Sequence, residues 1–320
     1  MVRFMSMDGN RMNASRKIPL TPHSVDLNAS SSDIVARFYG DTLGLAETAG
    51  EAGSRGFAAG DTPILSTSPA TARSMPALPA SGLYHLAILV PSRLDLARVL
   101  RRLLERDVTL QGASDHGVSE ALYLADPEGN GVEIYADRSP EDWPRRGGEL
   151  EMFTRRFDFD GVMGELRADG SPWDGMPGGT RLGHVHLKVS DLGRAEAFYR
   201  DVIGFDLMLR FGDSASFLST GAYHHHVGLN TWESLGRAAP APGAPGLRLV
   251  TFAVEDSARL RSIEARAAAA GIPAESRHGR LELTDPSGIQ IVLAIRPESG
   301  GDAGRPMEPA RGLERVPVAP

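Results

Sequence analysis

One stretch of this chain occurs twice. Phe38-Tyr39-Gly40-Asp41-Thr42-Leu43-Gly44-Leu45 returns as Phe198-Tyr199-Arg200-Asp201-Val202-Ile203-Gly204-Phe205, half a chain length later. Such self-similarity marks a duplicated chain, in which repeated units bury their apolar faces against one another. Each copy is expected to close an amphipathic helix, Asp33 to Tyr39 and Leu192 to Tyr199. Phe and Tyr then pack inward, and Gly44 or Gly204 takes the left-handed position after the last turn.

A second pattern subdivides the halves. Asp126-Pro127-Glu128-Gly129-Asn130 runs into Gly131-Val132-Glu133-Ile134-Tyr135, and Asp285-Pro286-Ser287-Gly288 runs into Ile289-Gln290-Ile291-Val292-Leu293. Each reads as a tight turn feeding a strand. Alternating strands that open onto helices occur at Ser24 to Asn28, Leu83 to Val90, Gly183 to Val189 and Leu247 to Val254. The expectation is α+β, with four βαβββ modules at 21–75, 81–140, 181–235 and 245–297. Residues 141–180, with Trp143-Pro144, Gly147-Gly148, Pro172 and Gly178-Gly179, read as a linker. Residues 1–20 and 298–320 lack periodicity and read as disordered ends.

Composition narrows the chemistry. With 36 Gly and 22 Pro in 320 residues, turns and short strands are favoured over long helical bundles. A net charge of −7 offers no positive field for nucleic acid or an anionic membrane surface. No apolar run approaches the ~20 residues of a membrane span, and Met1 to Leu20 lacks the apolar core of a secretory leader, so a cytoplasmic location is expected. The absence of cysteine removes disulfides and thiolate ligands, so any metal must sit on His, Asp or Glu.

The repeat then locates a site. Residues in the same position of each opening strand point to the same side of their sheet. Seven residues before the strand-to-helix handover stand His85 and His184 in modules two and three, against Ser24 and Leu249 in one and four. Seven residues after the Asp of Asp-Pro stand Glu133 in module two and Val292 in module four. Module three's closing strand, read as Tyr223 to Trp232, puts Gly228 near the equivalent place. Two imidazoles and one carboxylate leave coordination positions open, the arrangement expected of non-haem Fe(II) oxygen chemistry. His186, two residues beyond His184, should line the same pocket, while Lys188 reads as a rim charge. In an alternating strand, His224 and His226 would face one way and His225 the other.

Gly82-Leu83-Tyr84-His85, Ser119-Glu120-Ala121-Leu122-Tyr123, Asp126 through Glu133, and Tyr223-His224-His225-His226-Val227-Gly228-Leu229-Asn230 resemble the vicinal oxygen chelate superfamily. Within it they resemble the catechol 2,3-dioxygenase-like branch of type I extradiol dioxygenases. The resemblance runs from about Ser24 to Ile295 and implies two open, U-shaped, mixed β-barrel-like domains with helices outside. It implies His85, His184 and Glu133 as metal ligands, Tyr123 as the tyrosine ten residues before the glutamate and a hydrogen-bond donor to bound oxygen or catecholate, and His225 as the acid/base histidine, with His226 one register step away. His116 is either a loop residue or a supporting donor. The implied cofactor is Fe(II), with Mn(II) or another divalent ion as alternatives, and the implied reactants are a small aromatic diol and dioxygen. A homo-oligomer is compatible with this reading.

The module order departs from the family layout, in which both histidines and the glutamate come from the third and fourth modules. Here modules two and three would have to share the metal-site barrel, and modules one and four the other. Two rival readings stand beside the dioxygenase: a glyoxalase-like metal-dependent lyase or isomerase, and a non-catalytic ligand-binding protein. The lyases usually place a fourth ligand, Glu or Gln, where this chain has Gly228.

Overall fold

The computed structural model describes residues 19–50, 53–72 and 80–296. The reading of 1–20 and 298–320 as disordered ends falls almost wholly outside them. The chain is α+β and strand-rich, with two mixed sheets that do not close.

Nine strands form one sheet, in the order Arg155–Arg156, Gly112–Asp115, Ser119–Ala125, Gly131–Asp137, Gly82–Leu89, Arg181–Lys188, Val227–Asn230, Ala215–Ser219, Asp206–Phe211. Eight form the other, in the order Ala274–Arg277, Arg280–Thr284, Gln290–Ile295, Gly246–Val254, Leu20–Ala29, Thr62–Pro69, Arg55–Ala59, Ala46–Ala49. At the centre of each sheet two opening strands pair antiparallel, Gly82–Leu89 with Arg181–Lys188 and Leu20–Ala29 with Gly246–Val254. Each is flanked in parallel by its own module's closing strand.

Alternation explains the layers. On the central strands Val25, Leu27, Leu86, Ile88, Val185, Leu187, Val250 and Phe252 are buried in one continuous apolar core. Helices Arg93–Glu105 and Ser257–Ala269 pack there through Leu96, Val99, Leu100, Leu103, Leu260, Ile263 and Ala267. Ser92, Asp191 and Asp256 cap their helices, each side chain accepting from a backbone N–H three residues on.

The repeated Phe-Tyr segments are shorter in α-helix than expected. The α-turns span Ser32–Arg37 and Leu192–Ala197, and wider π-turns follow at Phe38–Thr42 and Phe198–Ile203. Gly44 and Gly204 do take positive φ, 77° and 99°.

Residues 141–180 are more than a tether. Arg155–Arg156 extends the nine-stranded sheet beside Gly112–Asp115, and Trp143, Phe157 and Val162 are buried. The His-rich segment also differs from the expected strand, which begins only at Val227. Gly221 and Ala222 both hold positive φ, and the chain turns there, so strict alternation does not govern His224 to His226.

Candidate metal centre

Register across the nine-stranded sheet brings the site together. One row runs Tyr123, Glu133, Ala87, His184, each residue opposite the next on neighbouring strands. The adjacent row on the same face runs Gly131, His85, His186, Gly228. Ala87 is fully buried and carries only a methyl group, so no bulky side chain stands between Glu133 and His184.

The three side chains converge. Nε2 of His85 lies 3.0 Å from Glu133 Oε2, and Nε2 of His184 lies 3.1 Å from the same oxygen. Their donor atoms all fall within 4.8 Å of one another. Burial drives the Glu133 carboxyl toward neutrality, but the two facing imidazoles outweigh it and hold the group well below the usual carboxylate range. Burial lowers His184 against the pull of Glu133, which keeps its ring neutral near pH 7.

This donor set fits a divalent ion. Adjacent ligands about 2.1 Å from a common centre lie about 3 Å apart at right angles, the spacing seen here. His85 Nε2 is buried and, despite its closeness to Glu133, lacks hydrogen-bond geometry to it, as suits a lone pair aimed at a shared point. Nitrogen and carboxylate oxygen donors suit Fe(II), Mn(II) and related ions.

His225 stands against the ligand set, its ring centroid 4.1 Å from that of His184 and 5.1 Å from Phe217. Burial holds it well below the ordinary imidazole value, so it is neutral and can accept a proton. Its Nδ1 meets His224 Nδ1 at 2.8 Å, an adjacency that the alternating-strand reading excluded. His226 turns elsewhere: its Nδ1 accepts from Ser219 Oγ and the Thr220 N–H, and its ring packs near Phe205 and Tyr223. It does not join the ligand group.

Tyr123 Oη lies 2.7 Å from His116 Nε2, whose Nδ1 lies 2.9 Å from the Phe153 carbonyl. A carbonyl only accepts, so in the neutral ring Nδ1 carries the hydrogen and Tyr123 donates to Nε2. Burial, with the Glu133 charge beside it, raises Tyr123 well above the ordinary phenol value and keeps it protonated.

His186 lines the same face, its ring 5.0 Å from His85, and its Nε2 is buried without a partner. A Cβ on Gly228 would meet that ring at 2.9 Å, so the missing side chain makes room for His186. Lys188 pairs with Glu233 at 3.5 Å. Sequence reasoning did not single out as site residues Ala87, Phe153, or Tyr84 and Trp232, two half-exposed rings 5.2 Å apart that both abut His186. Ala87 was legible as the residue two along from His85; the others needed the folded chain.

The chain matches the model of the Glyoxalase/Bleomycin resistance protein/Dioxygenase superfamily over residues 21–134 and 181–293. It is 43% identical over 226 residues to a catechol-2,3-dioxygenase of Bacillus subtilis (strain 168), covering 69% of this chain and 78% of that protein. Among solved structures, a candidate dioxygenase from Bacillus subtilis subsp. subtilis str. 168 superposes with a TM-score of 0.56 at 13% identity, over 88% of this chain and 87% of the other. Glyoxalase I from Zea mays gives 0.51 at 13% identity, over 86% and 92%. At such identities the two structures speak for the fold alone. With two family-model matches falling on the two halves of the duplication, this chain belongs to the glyoxalase/bleomycin resistance protein/dioxygenase superfamily.

Proposed function

We propose that the protein is a non-haem Fe(II) extradiol dioxygenase that cleaves a catechol-type ring with dioxygen. The observation that carries this reading is the meeting of His85, His184 and Glu133 beside the neutral imidazole of His225, in a chain 43% identical to a catechol-2,3-dioxygenase. His85, His184 and Glu133 would hold the ion, leaving open positions for reactants. Bound there, Fe(II) would supply Lewis acidity toward adjacent phenolic oxygens and a seat for dioxygen.

The chain's own residues do the rest. A small diol held against the ligand face replaces collision by held proximity. The neutral ring of His225 takes the second hydroxyl proton and later returns it to the opening ring. The Tyr123 hydroxyl, paired with His116 and beside Glu133, positions a substrate oxygen at the ligand face. Tyr84 and Trp232 give the mouth aromatic walls against which a ring can lie. Modules one and four, without such ligands, serve as scaffold. Among the described residues no helix is long and apolar enough to cross a membrane, and a cytoplasmic enzyme is the reading we adopt.

Gly228, filled over by His186, supplies no fourth oxygen ligand, which favours dioxygenase over lyase. Anaerobic reconstitution with Fe(II), followed by catechol and air, should give dioxygen uptake and a yellow ring-cleavage product. Absence of uptake, with Mn(II), Ni(II) or Zn(II) instead supporting methylglyoxal–glutathione isomerisation, would overturn the proposal in favour of the lyase.

A further inference from the structure

We infer that Asp137, acting through His224, sets the tautomer of His225, so that Nε2 of His225 is its bare, proton-accepting nitrogen. The inference rests on reading His225 as the acid/base group of the proposed dioxygenase. Asp137 and His224 are then positioning residues, since neither lies among the ligands.

The hydrogen-bond directions follow from one end. Asp137 closes the strand that carries Glu133, four residues on and on the same face. As a carboxylate it can only accept. Its Oδ1 lies 2.9 Å from His224 Nε2 and its Oδ2 2.8 Å from the Tyr223 hydroxyl. His224 therefore carries its hydrogen on Nε2, and in a neutral ring its Nδ1 is bare. That bare nitrogen lies 2.8 Å from Nδ1 of His225. Two bare nitrogens repel at this distance, so the hydrogen sits on His225 Nδ1 and the lone pair on its Nε2.

A second branch holds the anchor in place. Tyr223 spends its hydrogen on Asp137, so its oxygen accepts from the Tyr135 hydroxyl 2.9 Å away. Gly183 makes that possible, since a Cβ there would collide with the Tyr135 hydroxyl. Tyr223 also covers His224 with ring centroids 3.9 Å apart, and Trp143 meets it at 5.5 Å. His224 is 0% exposed, so no water competes for either of its nitrogens.

The test is long-range ¹H–¹⁵N correlation of imidazole nitrogens in the full, metal-free, ¹⁵N-histidine-labelled protein, with His224→Gln and His225→Gln spectra for assignment. The expected result is a hydrogen on Nδ1 of His225 and on Nε2 of His224. A hydrogen on Nε2 of His225, or on both nitrogens of His224, would overturn the inference.

In the Fe(II)-loaded enzyme with catechol, His224→Phe should lower kcat by about 10–100-fold, the usual range for such supporting partners, with KM unchanged. His224→Gln should recover much of the loss, because its carbonyl oxygen can accept from His225 Nδ1. Wild-type kcat in His224→Phe, or losses in both variants without rescue, would count against the inference. Should either variant fail to fold, the wild-type tautomer still decides. Should wild-type protein open no catechol, the dioxygenase reading fails while the spectra still judge this one.

Discussion

The Tyr39 hydroxyl donates to Oδ2 of Asp126 at 3.1 Å, which joins the repeated Phe-Tyr segment of module one to the Asp-Pro turn of module two. The second half repeats the contact, Tyr199 to Asp285 at 3.3 Å. Around each turn the same docking recurs: Glu128 accepts from the Ser30 and Ser31 N–H groups, and Ser287 Oγ accepts from Ser190 N–H. Sheets thus join modules two with three and one with four, while these turns join one with two and three with four.

Removing one such hydroxyl takes a donor from a buried carboxylate that keeps its bonds from Glu128 N–H, Asn130 N–H and the Asn130 amide. Tyr39→Phe should therefore cost about 1–2 kcal/mol, read from the urea midpoint. Tyr199→Phe should cost a similar amount, and the double variant should lose the sum, since the two contacts share no partner. An unchanged midpoint in both would show that these bonds carry no net stability.

Glu133→Ala should abolish metal retention and turnover while leaving the circular dichroism spectrum unchanged. The variant leaves two imidazoles and no anionic ligand. Metal content by elemental analysis and dioxygen uptake are the measurements. Wild-type turnover would remove Glu133 from the site.

Ala87→Leu puts a larger side chain between Glu133 and His184. Overpacking of this kind costs about 1–3 kcal/mol, and the larger side chain should displace the ion. The variant should fold with a lowered Tm and bind metal at least about tenfold more weakly, as a direct block of the site requires. Unaltered affinity would show that the ion does not occupy the space above Ala87.

Stability of the metal-free protein should depend on pH with a definite sign. Burial lowers His184, His186 and His225 below the ordinary value of 6.5, and lowers His226 to about 3. Below pH 6.5 these four histidines bind more protons in the unfolded chain than in the folded one, so their contribution to stability is full above that pH and falls as the pH drops toward 3. His226 alone should contribute a slope of about 1.4 kcal/mol per pH unit in this window. His226→Gln, whose carbonyl can still accept from Thr220 N–H, should flatten the profile of Tm against pH between pH 6.5 and 4.5. A profile as steep as wild type would contradict the assignment.

Much of the site was legible because side chains alternate along a strand. The offsets of His85, His184 and Glu133 from turns and caps place all three on one sheet face, whatever the neighbours are. The same logic failed for His224 to His226, where two residues with positive φ break the strand before alternation can apply. It also missed Phe153, whose carbonyl orients His116 across 37 positions of chain.

What the sequence by itself determined is the module: the duplicated Phe-Tyr helix end, the Asp-Pro turn, the period-two strands and the residues each presents to one face. These are local properties, written in short-range sterics and hydrogen bonding. Which strand lies beside which was decided only in the tertiary structure. Gly82–Leu89 pairs with Arg181–Lys188 across nearly a hundred residues, and the registers Ala87 to His184 and Ala87 to Glu133 set the ligand atoms within reach. Strand pairing is a non-local choice among chemically similar edges, made by the burial of a shared core, and it is that choice which turns scattered histidines into a site.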